Sequence, residues 1–224
     1  GPEAPDVLDF WFGAPGTPEH GHSRAEWFKK SAAFDAEIRA RFLPLFEAAH
    51  RGERADWAHD PRSTLALIVV LDQFPRNLFR EGPEAARAYA SDPQALALAR
   101  GLVASGGDRT LSPVERWFAY LPFEHAEDPA AQDEALRLFT QLKDETGLAE
   151  PLPWAQKHFE VIARFGRFPH RNRVLGRAST DAEAEFLKQQ RALDDEKREM
   201  ALTVERKIQE GLEAVRTKAS QRKE

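Results

Sequence analysis

Three short stretches of this 224-residue chain carry side chains that grip anions and move protons. The first runs Leu71-Asp72-Gln73-Phe74-Pro75-Arg76-Asn77. The second, Glu124-His125-Ala126-Glu127-Asp128, follows Pro122, and the third runs from Arg164 through Arg167, Phe168-Pro169 and His170 to Arg171-Asn172. Arg76, Arg164, Arg167 and Arg171 offer planar forks that match phosphate or carboxylate. Gln73, Asn77 and Asn172 add amide donors and acceptors. His125 or His170 would serve as general acid or base near neutral pH, with Asp72 or Glu127 orienting the imidazole. His158 shares a helical face with Ile162, which points it inward.

The first and third stretches each close an apolar run with Phe-Pro followed by Arg-Asn, the third with His170 inserted. Proline lacks an N–H and clashes with the preceding turn, so each motif is expected to end a helix and present its arginine and asparagine just beyond. Two such helix ends would together build one polar site. The rival reading uses the same residues as ion-pair architecture. There Arg76, Arg167 and Arg171 neutralise Asp72, Glu127 and Asp128, while Asn77 and Asn172 cap carbonyls.

Other chemistries find less support. The chain has no cysteine, which removes disulfides and thiolate catalysis and fits a reducing, cytoplasmic setting. No nucleophile elbow, phosphate-binding glycine loop or His-Glu-x-x-His spacing is present, so neither a cofactor nor a metal is expected. His20-Gly21-His22 reads as a solvated loop pair. The formal charge is −5, and the aromatics among the arginines, Phe165 and Phe168, flank a helix stop, so nucleic acid is not an expected partner. The run Leu65–Leu71 is far short of the roughly 20 residues of a membrane span, and no membrane association is expected. The start, Gly1-Pro2-Glu3-Ala4-Pro5, is no signal peptide, and Gly1-Pro2 resembles a scar of tag removal.

The elements that must position these residues are helices. Asp60-Pro61, Asp92-Pro93, Ser112-Pro113 and Asp128-Pro129 pair an N-cap with proline at the first helical position. Ser112 with Glu115 and Thr180 with Glu183 fit the capping box. Helices are expected at about 4–12, 24–30, 32–50, 61–74, 83–90, 93–104, 113–121, 129–146, 153–165 and from 180 onward. Phe34, Ile38, Phe42 and Phe46 form one apolar stripe, and Leu136, Phe139 and Leu142 another. The short loops favour an all-α array of antiparallel helices.

Beyond Phe186-Leu187 the chain is densely charged, with apolar residues at Leu193, Met200, Val204, Ile208, Leu212 and Val215. Their mean spacing lies nearer 3.7 than 3.5, which disfavours a left-handed coiled coil. Such a thin stripe is marginal as a helix unless it docks on something.

Phe10-Trp11-Phe12, the Asp72 and Glu127 motifs, Arg164 to Asn172 and Leu175-Gly176-Arg177-Ala178-Ser179-Thr180 together resemble the bacterial domain-of-unknown-function family 924, over roughly residues 5–188. The resemblance implies an all-helical, TPR-like superhelical fold with no assigned activity. Glu124 departs from it, standing where the family usually has an apolar residue. The end departs further. Residues 1–188 are expected to form the family domain, and residues 189–224 a charged helical extension, either an engineered fusion continuing the last domain helix or a partner-binding helix. The functional expectation is binding of, or action on, a small anionic metabolite through the Arg/His/Asp cluster. The alternative is a protein- or peptide-binding scaffold whose polar motifs are structural.

Overall fold

The computed structural model describes residues 1–223 and is all-helical, with no strand among them. It comprises two compact units, residues 1–168 and the chain from Pro169 onward.

The first unit holds α1 (Ala4–Phe12), α2 (Ala32–His50), α3 (Pro61–Ile68), α4 (Phe74–Leu78), α5 (Arg87–Ala90), α6 (Asp92–Ala104), α7 (Pro113–Glu124), α8 (Pro129–Thr146) and α9 (Pro151–Phe165). Side-chain caps start four of them: Ser31, Asp60, Ser112 and Asp128 each accept from a backbone N–H three residues on. The expected cap at Asp92 does not form. Ser91 takes the N-cap position without a side-chain cap, because the Asp92 carboxylate is held by Arg76. Of the expected helix at 24–30 only a 3-10 turn at Ala25–Trp27 forms, and that at 83–90 shrinks to α5.

Two helices pass through the middle of this unit. Every residue from Thr64 to Asp72 is buried, as is every residue from Val114 to Glu124, so neither segment has a solvent face. Around them the core is built of rings. Phe42 stacks on Phe74 at 4.9 Å, and Trp27 meets Phe118 edge-on at 4.6 Å. Helix α7 packs on α6 and α8, and α8 in turn on α9.

The expected break at Pro75 is absent. After α3 the chain makes one π turn, Val69–Gln73, and continues directly into α4, with the N–H of Phe74 donating to the carbonyl of Val69, five residues back. Leu71 lies four residues before Pro75, where an α-helical N–H would have found its acceptor. Its carbonyl accepts instead from the buried hydroxyl of Ser91 at 2.7 Å. Arg76 and Asn77 therefore sit within α4, not beyond a helix end. Pro122 likewise fails to stop α7, which runs on to Glu124. The Gln132 amide donates to the carbonyls of Glu124 and Ala126 at 2.7 and 2.9 Å, satisfying two acceptors at that terminus. The third motif does end a helix, but at Gly166, whose φ of 73° gives α9 its left-handed cap three residues before Pro169. The two Phe-Pro motifs, alike in sequence, are different structures.

The second unit holds one 3-10 turn at Pro169–Arg171 and α10 (Asp181–Gln221), which pack on each other. Thr180 and Glu183 form the expected capping box. The expected boundary at residue 188 falls within α10.

Candidate active site

The π turn carries Asp72, a fully buried carboxylate. His125, the C-cap of α7, donates from Nδ1 to Asp72 Oδ1 at 2.8 Å, and Gln73 donates to Oδ2 at the same distance. Burial alone would raise the Asp72 pKa, but His125 and Arg76 outweigh it and the group lies below the usual carboxylate range.

One residue before His125 lies a second carboxyl, Glu124, itself buried. Its Oε2 is 3.2 Å from Nδ1 of His158 on α9. That nitrogen is also 2.8 Å from the Trp154 carbonyl. A carbonyl only accepts, so Nδ1 carries the proton. Glu124 Oε1 is buried with no hydrogen-bond partner among the described residues. Burial, and then the charge of Asp72, push the Glu124 pKa up to about 8, against a downward pull from Arg76. The two imidazoles lie with centroids 6.2 Å apart, inclined at 61°, and His158 meets Phe168 edge-on at 5.3 Å.

The centre therefore holds two imidazole–carboxyl pairs whose acids are driven in opposite directions, Asp72 to stay charged and Glu124 to hold its proton near neutrality. Opposed shifts of this kind separate an electrostatic partner from a proton donor.

The other expected residues take varied places. Arg76 is committed, gripping both oxygens of Asp92 at 2.8 and 3.0 Å and donating to the Asp72 carbonyl at 2.6 Å. It lies 5.3 Å from the Tyr89 ring centroid. Asn77 donates to Asp35 at 2.9 Å. Glu127 accepts from the backbone N–H of Phe168 at 2.6 Å. Arg164 is exposed over the ring of Phe165, and Arg167 is half-buried. His170, Arg171 and Asn172 belong to the second unit. There Asn172 donates to Ser179 at 3.1 Å and to Glu183 at 3.4 Å and accepts from Arg177 at 2.9 Å, which gives it a local structural role.

Glu124 and His158 are the residues that sequence reasoning left out of the site. His158 was legible only as an inward-facing residue, and Glu124 only as a charge in an apolar position. No group of three or more His, Asp or Glu suited to a metal occurs among the described residues.

The model of the family described as bacterial protein of unknown function (DUF924) matches residues 7–191. A solved structure of a protein of unknown function from Agrobacterium tumefaciens is similar, at 41% identity and a TM-score of 0.72. The match covers 83% of this chain and 97% of that one. No curated protein matches.

Proposed function

The chain belongs to the bacterial DUF924 family, and from that premise we propose that it binds a small anionic metabolite and moves a proton on it at the Asp72–His125 and Glu124–His158 centre. The observation that carries this reading is the pair of buried carboxyls with opposed pKa directions, each beside an imidazole. In this role His125 exchanges a proton with the ligand while Asp72 holds the ring and balances its charge. Glu124, neutral near pH 7, accepts at Oε2 from the Nδ1–H of His158 and holds its own proton in reserve at the centre. Arg164, exposed six residues beyond His158 and about 120° round α9 from it, and the half-buried Arg167 supply positive charge that draws the anion in. A cytoplasmic site of action goes with this reading, resting on the cysteine-free composition.

A second reading is favoured by Arg76. Its guanidinium is wholly engaged by Asp92 and the Asp72 carbonyl, as in a helical scaffold, TPR-like or otherwise, whose polar motifs are architectural.

A thermal-shift screen against phosphorylated and carboxylated metabolites and nucleotides separates the two. A ligand at about a hundred times its dissociation constant adds roughly 2.7 kcal/mol to the folded state. The active-site reading expects a hit that His125→Gln and Arg164→Ala each abolish without changing the unliganded melting temperature much. A flat screen, with His125→Gln simply melting early, supports the scaffold.

A further inference from the structure

Helix α10 spans 41 residues, on the order of 60 Å. Leu193, Met200, Val204, Ile208, Leu212 and Val215 are each at least half exposed along it. At 100° per residue these six fall within a stripe about a third of the helix circumference wide. A helix so charged on its other faces draws little stability from its own sequence and most from covering such a stripe.

Five of the six are symmetric about Val204; Leu212 is the exception, its mirror position being Glu196. Leu193 and Val215 each lie eleven residues from Val204, and Met200 and Ile208 each lie four from it. An antiparallel partner of the same sequence, on a two-fold axis near Val204, sets Leu193 against Val215 and Met200 against Ile208. Charge is divided unevenly along the helix. Asp194, Asp195, Glu196 and Glu199 cluster at one end of the stripe, while Arg216, Lys218, Arg222 and Lys223 follow the other, with no acid between residues 214 and 223. Antiparallel pairing about Val204 brings Arg216 of each helix within two or three residues of Asp194 and Asp195 of the other, while residues 194–199 face 209–214, where Glu210 meets Arg198 and Glu213 meets Asp195. Parallel pairing would set like against like. Self-complementarity is what a two-fold interface requires, and an unrelated partner would not demand it. We propose that α10 pairs with α10 of a second copy of this chain, antiparallel and centred near Val204, making the protein a homodimer. The eleven-residue intervals predict nearly straight helices with a slight right-handed wind.

Sedimentation velocity on the full chain over a concentration series tests this. The expected result is a species close to twice the chain's 25.3 kDa, reduced to monomer in the Val204→Asp/Ile208→Asp variant, with the thermal transition of the helical core kept. Orientation is read in the cysteine-free background. A mixture of Leu193→Cys and Val215→Cys chains should cross-link to each other faster than either does to itself. A wild-type monomer at every concentration would assign the stripe to a different protein and overturn the proposal. So would a dimer that survives the double substitution, or self-cross-linking that outpaces the mixed reaction.

Discussion

The hydroxyl of Ser91 donates at 2.7 Å to the carbonyl of Leu71, an acceptor that Pro75 has no N–H to reach. This one bond, made across twenty residues of sequence, lets a helix run through a proline and carry Asp72 into the core.

Ser91→Ala leaves that carbonyl buried and unsatisfied, and should destabilise the fold by about 1–3 kcal/mol in urea unfolding. Pro75→Ala restores a backbone donor, so the double variant should lose less than the two single losses added together. Simple additivity would show that the hydroxyl and the proline are unrelated.

Asp72→Asn should cost about 3–5 kcal/mol, because it strips a buried counter-charge from His125 and Arg76. The Asp72 pKa is depressed in the folded state, so its contribution is complete above the ordinary 3.8 and is lost as pH falls below that value. Wild-type unfolding free energy should therefore drop at acid pH with a component missing from Asp72→Asn.

Glu124 acts with the opposite sign. Its folded pKa of about 8 lies above the ordinary 4.5, so between those values the native state holds a proton that the unfolded chain has released. Stability must then fall as pH rises across that window. Glu124→Gln keeps the shape, removes the titration and should be more stable than wild type at pH 8 by several kcal/mol as an upper bound. Urea midpoints measured from pH 5 to 9 check it, and identical slopes for the two proteins would mean that Glu124 is ionised throughout.

Removal of residues 189–224 should leave the melting transition within about 3 °C, since the large apolar side chains of that segment are exposed. A large drop in differential scanning calorimetry would make the segment integral to the fold.

Much of this was legible in the sequence where the cause is local. The caps at Asp60, Ser112, Asp128 and Thr180 form as read, because each needs only a side chain and the next turn. The misreadings share a different cause. The sequence predicts breaks at Pro75 and Pro122 and a cap at Asp92, on chemistry that is correct in isolation. Ser91 and Arg76 override it at Pro75 and Asp92 from elsewhere in the chain, and α7 runs through Pro122 to Glu124. The site suffered in the same way. His125 and Asp72 stand out by residue type, whereas Glu124 belongs to the centre only because α7 continues far enough to bury it.

The π turn at Val69–Gln73 is one residue more than an α-helix would use over the same rise. The segment from Pro61 to Leu78 consequently runs in two phases, offset by about the 100° that one residue subtends. Its first phase commits Leu65 and Ile68 to the hydrocarbon interior, and its second sets Asp72 toward His125 and Arg76 toward Asp92. A helix of single phase would have to surrender one set of contacts to keep the other. Removing a single residue from the turn would therefore act less like a deletion than like rotating a key in its lock, misaligning every tooth beyond it at once.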